Sequence, residues 1–398
     1  MLRVAVKMLM GDRAKYVGLL FGITFTSFLV TYAGSYLAGF MTRGFALVSE
    51  NPDVDVWVMD PAVESTQLTT DIPDSALSRV RSVNGVLYAM PLALTTVDAR
   101  FANGRFQSFQ VMAVDDATLF GLPPLRNGVS PVVMRTPDAV VVDAGGTSGK
   151  LQTPSLAADQ WPYGPPRLNV PTRTLQAGDE LRINEHRAIV RGRAEAMPRY
   201  PPQPLMYMTL SNAARMLPPK PHLLTFVLAK AAPGVSPQEL AGRIQAQTGL
   251  RARSSDDFKR DTVDWLFVNS EDVGDIGSMV SIAVLVGLGM TGVLLYMFTT
   301  DSLKQYAVLK AMGADSRLLL TMIFVQSGLC ALLGIGLGLG VCAIVGQIAI
   351  SEFDFPFRMM WFTPVVTTLV VVLVAMVAAA ISARPVLKLE PGVVFAGR

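Results

Sequence analysis

The feature that most constrains this chain is a set of four long windows that contain no charged residue. They lie between Lys15 and Arg43, between Asp275 and Asp301, between Arg317 and Glu352, and between Arg358 and Arg384. A helix needs about 20 apolar residues to cross the hydrocarbon core of a bilayer, and each window is longer than that. Only 16% of the residues are charged, against about 25% in soluble domains. The sequence therefore predicts an α-helical membrane protein with four transmembrane helices, at residues 16–42, 274–300, 318–351 and 359–383.

Basic residues near the ends of these helices indicate the orientation of the chain. Lysine and arginine mark the cytoplasmic side of membrane spans. They occur in residues 1–15, in the loop at 301–317 and in the tail at 384–398, whereas the short loop at 352–358 has no basic excess. We therefore expect both termini in the cytoplasm and residues 43–273 outside it. The net charge of +3 reflects this distribution, so we expect no nucleic-acid partner.

The N-terminal segment has two features of its own. Residues 1–15 have apolar side chains at helical spacing between basic ones, which predicts an amphipathic helix in the membrane interface, in contact with lipid headgroups. The first apolar window could instead be a signal peptide. The apolar core of a signal peptide has about 7–15 residues, and this longer window favours a retained helix.

The segment outside the cytoplasm predicts one large α+β domain with an insertion. Apolar and polar residues alternate from Asp53 to Met59, and a strand–helix–strand pattern occurs both in residues 43–116 and in residues 206–256. The proline-dense residues 117–205 predict an inserted β-rich lobe. Residues 257–273 predict a helical stalk that extends the second transmembrane helix outward.

Three patterns resemble sites of chemistry, and each has a simpler explanation. Residues 144–151 approach a phosphate-binding loop, but Leu151 replaces the hydroxyl residue that would bind magnesium. Gly287, Gly289 and Gly292 match a dinucleotide-binding spacing inside an apolar helix, where no strand precedes them. The two histidines, at 186 and 222, have no cysteine partners and show neither a metal-ligand spacing nor a nucleophile–histidine arrangement. We therefore expect no catalytic residue, no metal site and no ATPase activity on this chain.

Two further patterns suggest contacts between helices or with a partner. The third transmembrane helix has a glycine at every second position over one stretch, which favours close helix packing and contact between two copies over the alternative of a pore lining. These glycines are Gly334, Gly336, Gly338 and Gly340. The cytoplasmic loop has a capping residue at Asp301 or Ser302 and a helix-ending Gly313, which predict a short helix at about Asp301–Met312. Its residues Leu303, Tyr306, Ala307 and Lys310 share one side. A helix of this kind in so short a loop suggests a docking element.

Here the sequence resembles the MacB/FtsX-type permeases of ABC systems. These have one transmembrane helix, a large outer domain, three more transmembrane helices and a short tail. The loop matches their cytoplasmic motif at Lys304, Tyr306, Ala307, Lys310, Ala311, Met312, Gly313 and Ala314. The tail from Arg384 to Pro391 resembles their closing segment, and the run from Phe258 to Asn269 is most similar to the DevC-like branch. Gln305 stands where the family has glutamate, so a charged contact there would become a neutral hydrogen bond.

The resemblance implies a non-catalytic permease subunit in the bacterial inner membrane, with a periplasmic domain of porter-like halves and a sabre-like insertion. It implies a homodimer, a dimeric cytoplasmic ABC ATPase that binds ATP and magnesium, and motion passed to the periplasm by mechanotransmission. A periplasmic adaptor and an outer-membrane channel would complete an efflux system for a hydrophobic or amphipathic substrate. The docking residues would be Ser302, Leu303, Lys304, Gln305, Tyr306, Ala307, Leu309, Lys310, Met312 and Gly313. The tail residues would be Arg384, Pro385, Leu387 and Pro391.

The residues leave other functions open. An FtsX-like transducer that activates a cell-wall hydrolase would use the same coupling helix. A lipoprotein-releasing permease is a further possibility within the transport class, and an autonomous membrane enzyme would need a catalytic cluster that the sequence does not offer.

Overall fold

The computed structural model describes residues 13–161, 164–218 and 222–387, and the chain divides into two compact units. One unit contains residues 1–40 and 271–398, and the other contains residues 41–270. The predicted interfacial helix at residues 1–15 lies almost wholly outside the described residues, and so does the tail beyond Leu387, including Pro391.

The helices and strands of the described residues have the following bounds, each kind numbered in chain order. The α-helices are α1 Arg13–Gly44, α2 Ala46–Ser49, α3 Ser75–Arg81, α4 Leu210–Met216, α5 Pro237–Thr248, α6 Ser255–Asn269, α7 Glu271–Asp301, α8 Leu303–Ala311, α9 Ser316–Phe353, α10 Phe362–Ser382 and α11 Arg384–Leu387. The strands are β1 Val56–Met59, β2 Val86–Arg100, β3 Phe106–Val114, β4 Ala139–Asp143, β5 Gln152–Pro154, β6 Thr172–Thr174, β7 Glu180–Ile183, β8 His186–Arg193, β9 Leu205–Thr209, β10 Phe226–Ala231 and β11 Arg251–Ser254.

Four of the described helices, α1, α7, α9 and α10, are long and apolar enough to cross a membrane. They coincide with the four windows without charge, and α9 extends two residues beyond the predicted span at each end. Many of the apolar side chains on α7, α9 and α10 are exposed in the single chain, as expected for surfaces that contact lipid. Four apolar helices together with a large mixed α and β domain confirm the predicted fold class.

The second unit is built on a nine-stranded sheet in the order β11-β1-β10-β2-β3-β9-β4-β8-β7. The first four strands carry the two predicted strand–helix–strand halves, with β1 hydrogen-bonded between β10 and β11. Helices α3 and α5 cover one face of these strands through a core that includes Val56, Val80 and Ile244. The two halves therefore pair within one sheet.

The insertion at residues 117–205 does not form the separate lobe that the sequence predicts, but extends the main sheet. Its strands β4, β7 and β8 continue the same sheet, and β7 pairs with the end of β2 as well as with β8. Strands β2, β3, β9, β4, β8 and β7 thus close into a ring, and alternate residues from all six form one buried cluster. The length of β2 explains this arrangement. Its first half pairs with β10, and its last two residues, Ala99 and Arg100, pair with β7.

The predicted continuous stalk at residues 257–273 is interrupted. Helix α6 ends at Asn269, Ser270 has an extended backbone (φ −93°, ψ 123°), and α7 begins at Glu271. The local sequence accounts for the break, because serine followed by two acidic residues is a common start of a helix. The stalk prediction was therefore wrong about continuity.

Candidate functional site

The short helix α8 occupies the loop between α7 and α9. Ser302 precedes it, although its side chain forms no capping hydrogen bond, and Met312 follows its last residue. The chain turns at Gly313, whose φ of +94° is a left-handed conformation that glycine adopts without steric cost. The amides of Gly313 and Ala314 donate to the carbonyls of Lys310 and Leu309, at 3.1 and 3.0 Å. The predicted helix is present, two residues shorter at its start and one shorter at its end.

One side of α8 is held against the membrane helices. Tyr306 and Ala307 are completely buried, and the Tyr306 hydroxyl donates to Oε1 of Gln326 on α9 at 3.1 Å. Burial raises the pKa of Tyr306 to about 12, so the hydroxyl stays protonated and remains a donor at physiological pH. Leu303 and Leu309 are half-buried against the same core. The side predicted from Leu303, Tyr306, Ala307 and Lys310 is therefore the inward side of α8.

The opposite side of α8 is open. Lys304, Gln305, Val308, Ala311 and Met312 are exposed, with Val308 43% and Met312 70% exposed. The docking residues predicted from the sequence include Lys304, Gln305 and Met312 but not Val308 or Ala311, although Ala311 belongs to the matched loop motif. Their helical spacing from Lys304 and Gln305 was the signal that would have included them.

The tail joins the same core through α11. Val386 is 1% exposed and packs in the cluster that contains Tyr306, while Arg384 and Leu387 are exposed and Pro385 is half-buried. The described part of the tail is thus packed at the end of the membrane helices by a residue that sequence reasoning did not name.

The four glycines of α9 divide into two pairs. A Cβ atom added to Gly334 would lie 2.7 Å from Ile23 Cγ2, and one added to Gly338 would lie 2.6 Å from Ser27 Cβ, so both allow α1 to approach. Gly336 and Gly340 have nothing within 4 Å of such an atom. Gly334 and Gly338 therefore pack against α1 of the same chain, whereas the space beside Gly336 and Gly340 is unoccupied within the chain.

Comparisons with known proteins agree with this arrangement in the membrane unit. Residues 277–391 match the family described as FtsX-like permease C-terminal. No curated protein sequence matches the chain. The periplasmic region of MacB from Actinobacillus actinomycetemcomitans is 11% identical, with 55% of this chain and 94% of that chain covered and a TM-score of 0.35. The extracellular domain of the noncanonic ABC-type transporter YknZ from Gram-positive bacteria is 11% identical, with 50% of this chain and 98% of that chain covered and a TM-score of 0.30.

At TM-scores this low the structural likenesses carry no weight, and the assignment rests on the family match and the order of the helices. The membrane unit resembles the permeases of the MacB/FtsX type, because residues 277–391 match the FtsX-like C-terminal domain and four of the described helices are long and apolar enough to cross a membrane. Permeases of this type are generally non-catalytic and work with an ABC ATPase.

Proposed function

We propose that this chain is the inner-membrane permease of an export system, with both termini in the cytoplasm, and that α8 is the coupling helix for a separate ATPase dimer. The observation that carries the proposal is the two-sided character of α8. Its inward side is fixed to α9 by the Tyr306–Gln326 hydrogen bond, and its outward side presents Val308 and Met312 to solvent. A short helix with exposed apolar side chains on its outward side suits a protein partner, which would cover that side.

ATP and magnesium would bind to the partner ATPase, whose cycle would displace α8 and the membrane helices joined to it. Motion would reach the periplasmic domain by mechanotransmission, so the substrate would not need to pass between the helices. The substrate would be hydrophobic or amphipathic and would leave through a periplasmic adaptor and an outer-membrane channel. The similarity of residues 258–269 to the DevC-like branch supports an adaptor-dependent exporter.

A homodimer is part of this proposal. The open positions at Gly336 and Gly340 support it. A helix of a second copy could approach α9 there, because no side chain of the first copy occupies the space beside these two glycines. Gly334 and Gly338 are not available for this contact, since α1 covers them.

The test is a mild-detergent purification of the tagged chain from native membranes, with identification of each co-purifying protein. An ATPase with a periplasmic adaptor supports the exporter. An ATPase with a cell-wall hydrolase or its activator supports the signal transducer instead, and the absence of any ATPase contradicts the proposal.

Two substitutions locate the docking surface. Val308→Asp places a charge on the exposed side of α8 and should weaken recovery of the ATPase by about tenfold, or 1.4 kcal/mol. Val268→Asp is the matched control, because Val268 is 84% exposed on α6 in the other unit. Equal recovery with both variants would exclude α8 as the docking surface. Leu303→Asp is a poorer test, since Leu303 packs against the membrane core.

A further inference from the structure

A large polar cleft lies in the second unit beside the seam at which β2 pairs with β7. Its volume is about 880 Å³, and its walls come from the end of β2, from β7, from the β5–β6 pair, from residues 157–161 and from Arg167. Ligand pockets usually have volumes of about 300–1,000 Å³, so the cleft has room for a small organic molecule. Nothing in the proposed ATPase docking uses it.

The lining of the cleft is rich in arginine and carries an excess of positive charge. Its basic residues are Arg100, Arg167, Arg173, Arg182 and Arg187, and its carboxylates are Asp179, Glu180 and Glu185. Each carboxylate pairs with one arginine. Arg173 holds Asp179 at 2.7 Å, Arg187 contacts Glu180, and Arg182 lies 3.7 Å from Glu185. Arg100 and Arg167 form no ion pair with any described residue, although Arg167 donates a hydrogen bond to the carbonyl of Ala158, so both cationic groups lack a carboxylate partner.

Arg100 is the better placed of the two. Its guanidinium carbon lies 4.3 Å from the centre of the Phe106 ring and 4.4 Å from the ring of Trp161, so aromatic rings flank the charged group. Its Nε atom is buried and has no hydrogen-bond partner among the described residues. A guanidinium also offers two parallel donors to a carboxylate or phosphate.

We propose that this cleft binds a small amphipathic anion, whose carboxylate or phosphate group contacts Arg100 and Arg167 and whose apolar body lies against Trp161. The excess charge selects an anion, the flanked guanidinium fixes its head group, and the aromatic side chain accepts an apolar body. The concave shape favours a small molecule over a protein surface. The inference concerns binding to the periplasmic domain and stands independently of α8.

The experiment uses the full chain in lipid nanodiscs and isothermal titration calorimetry, with empty nanodiscs subtracted to remove partition into lipid. The probes are 2-naphthyl phosphate and 2-naphthoate, with neutral 2-naphthamide as the matched control. We expect at least one anion to bind and the amide not to bind. The stronger of the two anions identifies the head group as phosphate or carboxylate.

Variants locate the site. Arg100→Gln should weaken binding by about tenfold, Arg100→Lys should weaken it less because the charge is kept, and Arg260→Gln should have no effect. Arg260 is a suitable control, because it is 73% exposed and lies outside the cleft. Arg167→Gln replaces Arg100→Gln if the latter does not fold. The proposal would be overturned if the amide bound as strongly as the anions or if neither anion bound. It would also be overturned if Arg100→Gln and Arg167→Gln both left anion binding unchanged.

Discussion

At the scale of single residues, the hydrogen bond between Tyr306 and Gln326 fixes α8 to α9. Both side chains are completely buried, so the hydroxyl exchanges no hydrogen bond with water. We expect Tyr306→Phe to lower the free energy of unfolding by about 1 kcal/mol and to reduce coupling to the ATPase. Thermal unfolding in detergent measures the first effect. Tyr296→Phe is the control, because Tyr296 is 46% exposed on α7, and equal shifts in both variants would contradict the role of the bond.

A second residue-scale prediction concerns the buried ion pair of Glu50 and Arg199. Their side chains are 7% and 5% exposed, and Glu50 also accepts from the Tyr207 hydroxyl at 3.2 Å and from the Met197 amide. Burial raises the pKa of Glu50, and Arg199 opposes that rise. We expect Arg199→Met to lower the free energy of unfolding by about 3–5 kcal/mol, since it leaves a buried carboxylate without its cation.

The same variant should depend on pH in a defined direction. Without Arg199 the pKa of Glu50 rises further above its value in the unfolded chain, so folding disfavours the ionised form. The loss of stability should therefore be small at about pH 5 and larger at about pH 8. The double variant Glu50→Gln with Arg199→Met has no carboxyl group there and should lack this dependence. A similar pH profile in both variants would show that Glu50 is not its source.

At the scale of secondary-structure elements, the glycines of α9 provide a matched pair. Gly338→Leu would place side-chain atoms into Ser27 of α1, whereas Gly340→Leu meets open space within its own chain. We expect Gly338→Leu to lower the thermal midpoint of the single chain. Gly340→Leu should leave that midpoint unchanged and reduce the dimer fraction measured by crosslinking in membranes. If both variants lose the fold, or if neither variant changes the thermal midpoint or the dimer fraction, then Gly338 and Gly340 do not have the different roles assigned to them.

The sequence predicted α8 well and predicted its orientation poorly. Gly313 marks its end locally, because a left-handed turn depends on the residue at that position, and Ser302 stands at its start without a capping hydrogen bond from its side chain. Which side of the helix is buried depends on α9, and Gln326 lies twenty residues beyond Tyr306 in the sequence. The amphipathic pattern of α8 is also weak, with alanine and lysine on both sides. Only the structure could therefore show that Val308 is outward and Tyr306 inward.

At the scale of the whole molecule, a feature could be predicted from the sequence when the residues that determine it lie close together along the chain. The four membrane helices are each specified within one window by the cost of placing charge in hydrocarbon, so they could be predicted from composition alone. The six-stranded ring could not be, because it closes where Ala99 and Arg100 pair with Ile183 and Arg182, more than eighty residues away. Proline density in residues 117–205 suggested a separate lobe, although β4, β7 and β8 extend the same sheet.

The orientation of the whole chain can be tested with its own cysteines left in place. Cys330 and Cys342 are both buried inside α9, so neither should react with a membrane-impermeant maleimide. Leu168→Cys, at a position 60% exposed in the second unit, should be labelled in spheroplasts with intact membranes. Met312→Cys, at a position 70% exposed beside α8, should be labelled only after the membrane is permeabilised, because the lysine and arginine residues of that loop predict a cytoplasmic location. Labelling of Met312→Cys in intact spheroplasts would reverse the topology and remove α8 from the reach of any cytoplasmic ATPase.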